Sequence, residues 1–362
     1  MRRAIELARR AWGQTHPNPM VGAAIVEDGS IVAEGWHERA GQPHAEVAAI
    51  EALGRKPAED ATLYVTLEPC STVGRTGACT EAILRSGIRR VVVGAVDPNP
   101  EHAGRGLSLL RGQGIEVLDG VLSEDCADLN LIFNHWIVNR RPLIAAKIAI
   151  TLDGKFAAAS GHSRWVTGKV ARENVMRWRR YFPAIAVGAN TVRQDDPSLS
   201  SRLGEEVYCP RRFVFDRSLK SLQGEHLPTI FSDAFADRTI IVCLQGAGSE
   251  LKQRAKALGV SLWEVSEVAG HLSWSDFISR CAAEEVHGVY LEAGPSLATT
   301  LIEQQKIDYL FAYTAPKLLL DTCSRGMGSK RETTSMDQCL GLSSIRHEVL
   351  GSDILTRGFL KS

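Results

Sequence analysis

Apolar residues along this chain alternate between runs with the two-residue period of strands and runs with the 3.6-residue period of helices. Such alternation predicts layered α/β structure, because neither a helical bundle nor a β-sandwich uses both patterns in turn. At 362 residues the chain is also too long for one ordinary domain. We therefore expect two α/β domains, each with a core of its own.

A proline marks the expected boundary between the domains. The pattern predicts a long amphipathic helix over 124–138, and Pro142 follows shortly before a new strand, LIAAKIAI. Proline blocks a helix because it has no backbone N–H and its ring clashes with the preceding turn. We place the domains at 1–140 and 141–362.

The predicted elements of the first domain form a complete α/β unit. It begins with a helix over 2–12 and a hairpin that turns at Asp28-Gly29, a favoured two-residue turn. Further helices and strands then alternate up to the strand IEVL. The second half alternates again, from the helix VARENVMRWRR to the strand YLFAYTA, with mainly irregular segments expected over 201–240 and 320–345.

The balance of charge limits the partners of such a chain. Lysine and arginine together number 42, as do aspartate and glutamate, so no overall positive field is present to hold a nucleic acid. The basic N-terminal segment has no long apolar core, and no apolar run reaches membrane-spanning length. We expect a cytoplasmic protein without nucleic-acid or membrane partners that can act on small anionic molecules.

Three residues of metal-ligating types, His44, Cys70 and Cys79, occur in the pattern H-A-E … P-C-x8-C. Imidazole and thiolate are the ligands that zinc prefers, and three protein ligands with one open position are typical of a catalytic site. A helix-capping histidine and two small core cysteines are the alternative for each residue alone. The order of all three, with proline before Cys70, favours zinc.

Glu46 follows the histidine by two residues and suits a role as acid and base rather than as a ligand. Bound zinc lowers the pKa of water to about 7, so hydroxide is available at neutral pH. A carboxylate must still move the proton to departing ammonia. The residues alone thus predict hydrolytic removal of an amino group from a heterocyclic ring. The other cysteines show no motif spacing, so we expect them to be reduced and mostly buried.

The surrounding motifs narrow this expectation. The runs THPNPMVGAAIVEDG, GWHERAGQPHAEVAAI, TLEPCSTVGRTGAC and VDPNPEHAGRGLSLL resemble the bacterial bifunctional deaminase/reductase family of riboflavin biosynthesis. The resemblance implies a cytidine-deaminase-like three-layer domain that acts on a diamino-pyrimidinone carrying a phosphoribosylamino group. It places Asn18 and His37 at the pyrimidine and Arg75 near the ribose phosphate.

Two features bear on these substrate contacts. The family usually has histidine after Pro-Cys-Ser, where this chain has Thr72, and proline near the second cysteine, where it has Gly77-Ala78. Without the family, Asn18 would be interpreted as a turn residue between prolines and His37 as a solvated loop residue.

The second half lacks the G-x-G-x-x-G pattern of a Rossmann site. Its runs RPLIAAKIAITLDGKFAAASGHSRWVTG, VGANTVRQDDPSL and YLEAGPSLATTL resemble the reductase half of the same family, which implies a dihydrofolate-reductase-like fold and NADPH as cofactor. The resemblance places at the cofactor Ala149, Trp165, Thr191, Asp195 and the run Gly294, Pro295, Ser296, Leu297, Ala298, Thr299 and Thr300. It places around the sugar phosphate Ser163, Arg179, Leu199, Arg202 and Glu292.

Physical arguments agree with this placement. Guanidinium groups bind phosphate in a bidentate manner, and the free N–H groups where a helix opens after Gly294 suit a cofactor phosphate. Lys147 can polarise or protonate the alkoxide that forms as hydride is delivered. Taken alone, Trp165 would be a core residue, Arg179 part of a solvated helix face and Asp195 part of a plain turn. Relatives tend to have a glycine soon after the leucines of the run APKLLLDTC, where this chain has Asp321-Thr322.

We therefore expect one chain with zinc-assisted deamination followed by NADPH-dependent reduction of the ribosyl group. Because relatives self-associate, the resemblance also implies a homo-oligomer. Two other classes of function remain as alternatives. One is a nucleic-acid-editing deaminase fused to an unrelated domain, which requires a basic face and stacking aromatics. The other is a non-catalytic protein that binds substrate or regulates the pathway, a possibility that Thr72 raises.

Overall fold

The computed structural model describes residues 1–72, 77–204, 206–328 and 331–361. The chain divides into two compact units, Met1–Arg140 and Arg141–Ser362. A separate cluster of buried apolar side chains lies in each unit. Helices and strands alternate in both, which confirms the predicted α/β class.

The first unit is built on a five-stranded sheet with the order β2-β1-β3-β4-β5. The predicted hairpin is confirmed, since Glu27 pairs with Ser30 and both turn residues, Asp28 and Gly29, have positive φ. Strands β3, β4 and β5 run parallel. The strands of this unit are β1 (Gly22–Glu27), β2 (Ser30–Trp36), β3 (Thr62–Leu67), β4 (Arg90–Ala95) and β5 (Glu116–Leu118). The helices are α1 (Arg2–Ala8), α2 (Ala45–Leu53), α3 (Cys79–Ser86), α4 (Arg105–Gly112), α5 (Ser123–Asp128) and α6 (Leu131–Asn139).

Helix α2 lies directly on strand β2, at a contact that leaves no room for a side chain on Gly35. A Cβ there would lie 2.4 Å from the backbone nitrogen of Ala49. This close approach fixes the start of α2 against the sheet. His44 is the residue that immediately precedes α2, as its N-cap.

The prediction of a single helix over 124–138 is wrong, because this segment forms two helices, α5 and α6, with Asn130 between them. The amide side chain of Asn130 accepts a hydrogen bond of 2.7 Å from the backbone N–H of Met20 and donates one of 2.9 Å to its carbonyl. These groups are buried, so the two bonds offset the loss of helical continuity. Helical periodicity does not reveal this partner, which is 110 residues away.

Replacing Asn130 with alanine should lower the free energy of unfolding of the first unit by about 2–4 kcal/mol, because both backbone groups of Met20 would be left buried without a partner. The urea dependence of hydrogen exchange at the β1 amides measures this loss. Asn139→Ala is the matched control, since the exposed Asn139 amide donates to the His135 carbonyl within its own helix. Equal losses in the two variants would contradict the explanation.

The second unit is built on a nine-stranded sheet with the order β13-β12-β11-β8-β16-β6-β17-β20-β19. Strands from β13 to β17 in this order are parallel, and β20 and β19 are antiparallel additions at one edge. Short two-stranded sheets, β9 with β10, β14 with β15 and β7 with β18, accompany the main sheet. The strands of the whole unit are β6 (Leu143–Thr151), β7 (Lys155–Ala157), β8 (Ala184–Gly188), β9 (Ser201–Leu203), β10 (Glu206–Tyr208), β11 (Arg211–Phe215), β12 (Thr239–Leu244), β13 (Ser261–Val265), β14 (Glu267–Val268), β15 (His271–Leu272), β16 (Gly288–Glu292), β17 (Tyr309–Ala315), β18 (Arg325–Gly326), β19 (Leu342–Leu350) and β20 (Asp353–Leu360). The helices are α7 (Lys169–Tyr181), α8 (Ala189–Asp195), α9 (Ser249–Ala257), α10 (Trp274–Ala283) and α11 (Pro295–Glu303).

The segment 201–240, expected to be mainly irregular, is organised around one buried cation. The Arg212 side chain is fully buried and forms a bidentate ion pair with Asp233 at 2.7 and 2.8 Å. It also donates to the Thr239 hydroxyl and to three backbone carbonyls. These bonds tie together the chain between β11 and β12. The paired strands β9 and β10 were not expected, so the prediction of irregular structure is wrong for the start of this segment.

Two smaller sequence expectations concern the surface and the thiols. No helix in the described ranges is long and apolar enough to cross a membrane. Of the six cysteines outside the metal motif, Cys126, Cys209, Cys243 and Cys281 are buried as expected. Cys323 and Cys339 are exposed, which corrects the expectation for these two residues.

Candidate metal centre and reductase site

The structure brings His44, Cys70 and Cys79 together at one point of the first unit. The ligand atoms of the three residues all lie within 4.8 Å of one another. The Nδ1 atom of His44 is 3.1 Å from Sγ of Cys79 and 3.6 Å from Sγ of Cys70. Each side chain comes from the end of an element, because His44 precedes α2, Cys70 follows β3 and Cys79 begins α3.

The hydrogen bonds within this cluster favour a thiolate at Cys70. Bonds from the Cys79 thiol, the His44 ring and the Cys79 backbone N–H lower the pKa of Cys70 to about 4, although burial opposes ionisation. The thiolate is the form of cysteine that binds metals. Its partner thiol, Cys79, has its pKa raised by the hydrogen bond to Cys70 and by burial.

The donor set and its spacing fit zinc. Bond lengths of about 2.3 Å to sulfur and 2.0 Å to nitrogen, in tetrahedral geometry, put ligand atoms about 3.5–3.8 Å apart. The observed separations from Nδ1 of His44 are close to this range. One nitrogen and two sulfurs leave a fourth position for water, as a catalytic zinc site requires. In the described ranges, no other group of histidine, cysteine and acidic residues has its ligand atoms gathered in this way.

Glu46 lies in the first turn of α2 and is only 3% exposed. Burial raises the pKa of its carboxyl group to about 7, and a hydrogen bond with Cys79 acts in the opposite direction. A carboxyl group with this pKa both accepts and donates a proton near neutral pH. The Pro43 junction and the helix start therefore place the proposed ligand and the proposed acid side by side, although residues two apart do not share a helix face.

Asn18 and His37 also meet at this site. The Asn18 amide nitrogen is 3.1 Å from Nε2 of His37, and Nδ1 of His37 is 3.0 Å from the Pro43 carbonyl. The His37 ring is 2% exposed and packs edge-on against the His44 ring at 5.3 Å. The alternative of a solvated loop histidine is therefore wrong. Thr72 is exposed, and Arg75 lies outside the described residues.

In the second unit, the predicted site residues gather where parallel strands end. Ala149 lies near the carboxyl end of β6, and Glu292 ends β16. Lys147 lies at the middle of β6, in register with Glu292, and α8 follows β8 directly. Ligands of open α/β sheets bind outside the carboxyl ends of the strands. The fold therefore presents these residues at the expected edge of the sheet.

Three charged side chains form a cluster at this edge. Glu292 pairs in register with Lys147 on the neighbouring strand, and its carboxylate accepts two hydrogen bonds from Arg179, at 2.6 and 2.9 Å. Burial disfavours the charge on Glu292, but Arg179 holds the pKa of that carboxyl group below its usual range. Burial lowers the pKa of the Lys147 ammonium. With Lys147 protonated, the two cations and the one carboxylate together carry a net positive charge.

Arg179 is not part of a solvated helix face. Its guanidinium donates to Glu292 and to the Ser200 carbonyl at 2.9 Å, so its partners lie within the protein. These bonds hold the segment from Leu199 to Arg202 beside α7. Leu199 is buried with a positive φ, whereas Arg202 is exposed on β9.

The residues expected at the cofactor come from several elements. Helix α11 opens at Pro295 with Gly294 as its N-cap, as predicted. A Cβ on Gly188, the residue before α8, would lie 3.6 Å from the Leu297 side chain, so the starts of α8 and α11 are adjacent. Thr191 lies on α8, and Asp195 ends it.

The Trp165 side chain is exposed, and its backbone carbonyl is held by a hydrogen bond. The side chain is 63% exposed, so the alternative of a core tryptophan is wrong. The Arg172 guanidinium lies over its ring at 4.4 Å, and the Lys317 ammonium donates to the Trp165 carbonyl at 2.9 Å. The loop also contains the exposed Ser163, and the neighbouring Arg164 donates to the Asp195 carbonyl.

Sequence reasoning missed several residues that shape this region. Arg172 and Lys317 have no motif that links them to Trp165. The carboxylate of Asp153 accepts hydrogen bonds from Thr151 and from the backbone of Leu319 and Leu320, and these bonds lower its pKa to about 2. The run TLDGK places Asp153 in the Leu-Asp-Gly position of the family, but the sequence does not show that Asp153 binds the backbone of Leu319 and Leu320.

Two family models match the two halves of the chain. Residues 1–95 match the cytidine and deoxycytidylate deaminase zinc-binding region, and residues 142–356 match the RibD C-terminal domain. The riboflavin biosynthesis protein RibD of Actinobacillus pleuropneumoniae is 38% identical over 356 residues, which cover 98% of this chain and 93% of the relative. RibD of Aquifex aeolicus is 38% identical over 361 residues, covering 98% and 96%.

A solved structure extends the likeness to the whole fold. The structure from Thermotoga maritima is described as a diaminohydroxyphosphoribosylaminopyrimidine deaminase/5-amino-6-(5-phosphoribosylamino)uracil reductase. It is 33% identical with a TM-score of 0.80, and the match covers 100% of this chain and 97% of that one. A zinc-binding deaminase region and a reductase domain in one chain define a bifunctional enzyme. The chain belongs to the RibD family of riboflavin biosynthesis proteins, which confirms the resemblance stated from its motifs.

Proposed function

We propose that this chain deaminates diaminohydroxyphosphoribosylaminopyrimidine in residues 1–140 and then, in residues 141–362, reduces the ribosyl group of the aminouracil product with NADPH. The observation that carries the proposal is the convergence of one imidazole and two thiols beside a buried carboxyl group. The substrates are those in the description of the Thermotoga maritima relative. The family supplies the order of the two reactions.

In the proposed deamination, His44, Cys70 and Cys79 hold zinc, which when bound supplies an activated water at neutral pH. Glu46 accepts a proton at its carboxylate and returns it to the amino group that leaves as ammonia. Its burial keeps bulk water away from this transfer. Asn18 and His37 orient the pyrimidine, since their polar atoms meet beside the His44 ring. Arg75 is proposed for the ribose phosphate by family resemblance alone.

In the proposed reduction, the cofactor-contact residues named above would hold NADPH, which when bound would be the source of hydride for the sugar carbon. Lys147 donates a proton from Nζ to the ring oxygen as the bond between that oxygen and the carbon breaks. Arg179 holds Glu292, and Glu292 in turn faces Lys147, so the three charges orient the sugar and stabilise developing negative charge. We propose that the other predicted contact residues keep the roles implied by the family.

The experiment that tests the proposal follows the two half-reactions separately. The zinc-loaded protein receives the phosphoribosylamino-pyrimidine alone, and ammonia is measured. It then receives the deaminated product with NADPH, and loss of absorbance at the NADPH band is measured. We expect both signals. Absence of ammonia release would overturn the first assignment, and absence of NADPH oxidation would overturn the second.

We also propose a cellular location and an oligomeric state for the protein. We assign the protein to the cytoplasm, where a reducing environment keeps Cys70 and Cys79 available as ligands. We also infer a homo-oligomer by analogy with the family. Sedimentation of the purified protein tests this second statement, and a monomer at micromolar concentration would contradict it.

A further inference from the structure

We propose that Glu68 is a positioning residue for the zinc site, through its hold on the segment that carries Cys70. The inference rests on the proposed function, because it takes Cys70 as a zinc ligand. Glu68 is the middle residue of the TLEPC run, two residues before Cys70, and it is 6% exposed. None of the roles assigned above uses this carboxylate.

Within the described ranges, the hydrogen bonds to the Glu68 carboxylate come from backbone N–H groups. Oε2 accepts from Asp97 at 3.1 Å and from Gly104 at 2.9 Å. Oε1 accepts from Gly106 at 2.9 Å and from Leu107 at 3.4 Å. Four bonds from a loop and a helix start therefore fix a side chain that is adjacent to the metal segment.

These bonds give helix α4 its cap. The first N–H groups of a helix have no partner inside it, and a carboxylate near them interacts favourably with the helix dipole. The N-cap residue of α4 is Gly104, which has no side chain to serve this purpose. Glu68 supplies the missing acceptor from another element, so the position of α4 and the position of Glu68 depend on each other.

The contact continues along the backbone to the metal ligand. A Cβ on Gly106 would lie 2.2 Å from the carbonyl oxygen of Pro69, so α4 packs directly against the residue before Cys70. The Cys70 carbonyl accepts hydrogen bonds from the Thr80 backbone and hydroxyl, at 3.2 and 3.3 Å. Cys70 is thus held from one side by Glu68 and α4, and from the other side by the start of α3.

A rigid segment presents Cys70 at the distance from His44 and Cys79 that zinc needs. Loss of the groups that orient metal ligands typically weakens metal binding by about 10–100-fold. Glu68→Gln keeps the size of the side chain but replaces one acceptor oxygen with an NH₂ group, which faces N–H donors. We therefore expect the zinc dissociation constant of Glu68→Gln to rise by about 10–100-fold.

The test measures zinc affinity by competition with a chromophoric chelator, and the absorption bands of the cobalt-substituted full chain. Glu27→Gln is the matched control, because Glu27 is also a buried carboxylate of this unit and accepts hydrogen bonds from Arg55 and from the Ala58 backbone. We expect altered cobalt bands and weaker zinc binding for Glu68→Gln alone, with ammonia release recovering at saturating zinc. A general loss of stability would instead affect both variants.

Gly106→Ala provides an independent test if Glu68→Gln fails to fold. It displaces the Pro69 carbonyl without removing the carboxylate, and we expect the same direction of change in zinc affinity. Wild-type zinc affinity and cobalt bands in either folded variant would overturn the inference. Failure of the wild-type chain to bind zinc would instead overturn the proposed function, so the two failures are distinguishable.

Discussion

Replacing Glu46 with glutamine should lower the rate of ammonia release by about 10²–10⁴-fold, the usual contribution of a positioned acid and base. The amide has nearly the same shape but neither accepts nor donates the proton that must reach the departing nitrogen. Glu46 is not one of the three clustered ligand residues, so zinc content should stay at the wild-type level. Ammonia release under single-turnover conditions measures the chemical step directly.

Two controls show whether the effect belongs to the chemistry. NADPH oxidation with deaminated product supplied should be unchanged in Glu46→Gln, because that reaction is assigned to the other unit. Glu51→Gln, on the same helix α2 and exposed, should release ammonia at the wild-type rate. A Glu46→Gln variant with normal zinc content and normal ammonia release would contradict the role of Glu46.

The zinc cluster was predictable from sequence because its order and spacing specify a chemistry. Imidazole, thiolate and a nearby carboxylate have few other reasons to occur as H-A-E and P-C-x8-C. The hairpin at Asp28-Gly29 was predictable for a local reason, since both residues adopt positive φ readily. In both cases the information lies within a few neighbouring residues.

Features that depend on distant partners were not predictable in this way. The break at Asn130 depends on Met20, and the order of the segment 201–240 depends on the buried Arg212. Periodicity describes which face of an element is apolar, but it does not identify a polar partner from another element. The same limit applies to Glu68, whose helix-capping role is visible only when α4 lies beside β3.

The terminal hairpin of β19 and β20 shows a different limit. Strand β19 lies at the edge of the nine-stranded sheet, and most of its residues are exposed or half-buried. An edge strand has less need of an alternating apolar pattern, because much of it faces solvent. Strand β6 of the same domain lies inside the sheet, between β16 and β17. Its continuous apolar run therefore allowed the strand to be predicted from the sequence.

Replacing Lys147 with methionine should lower the rate of NADPH oxidation by about 10²–10⁴-fold while leaving ammonia release unchanged. Methionine keeps much of the length of the side chain but removes its proton and its charge. The cluster of Lys147, Arg179 and Glu292 would change from a net positive charge to neutral, so negative charge on the sugar oxygen would lose its stabilisation. Transient kinetics with NADPH and the deaminated product measures this step.

The pH profile separates this role from a structural one. As a proton donor, Lys147 is active when protonated, so its activity is present below its pKa and is lost as pH rises through it. Burial lowers that pKa from the ordinary value of 10.5, and the wild-type rate should therefore decline at a pH below that value. Lys147→Met should lack this decline, whereas Lys169→Met should retain it, because the Lys169 side chain is 83% exposed on α7. A Lys147→Met variant that kept both the wild-type rate and its alkaline decline would show that another group donates the proton.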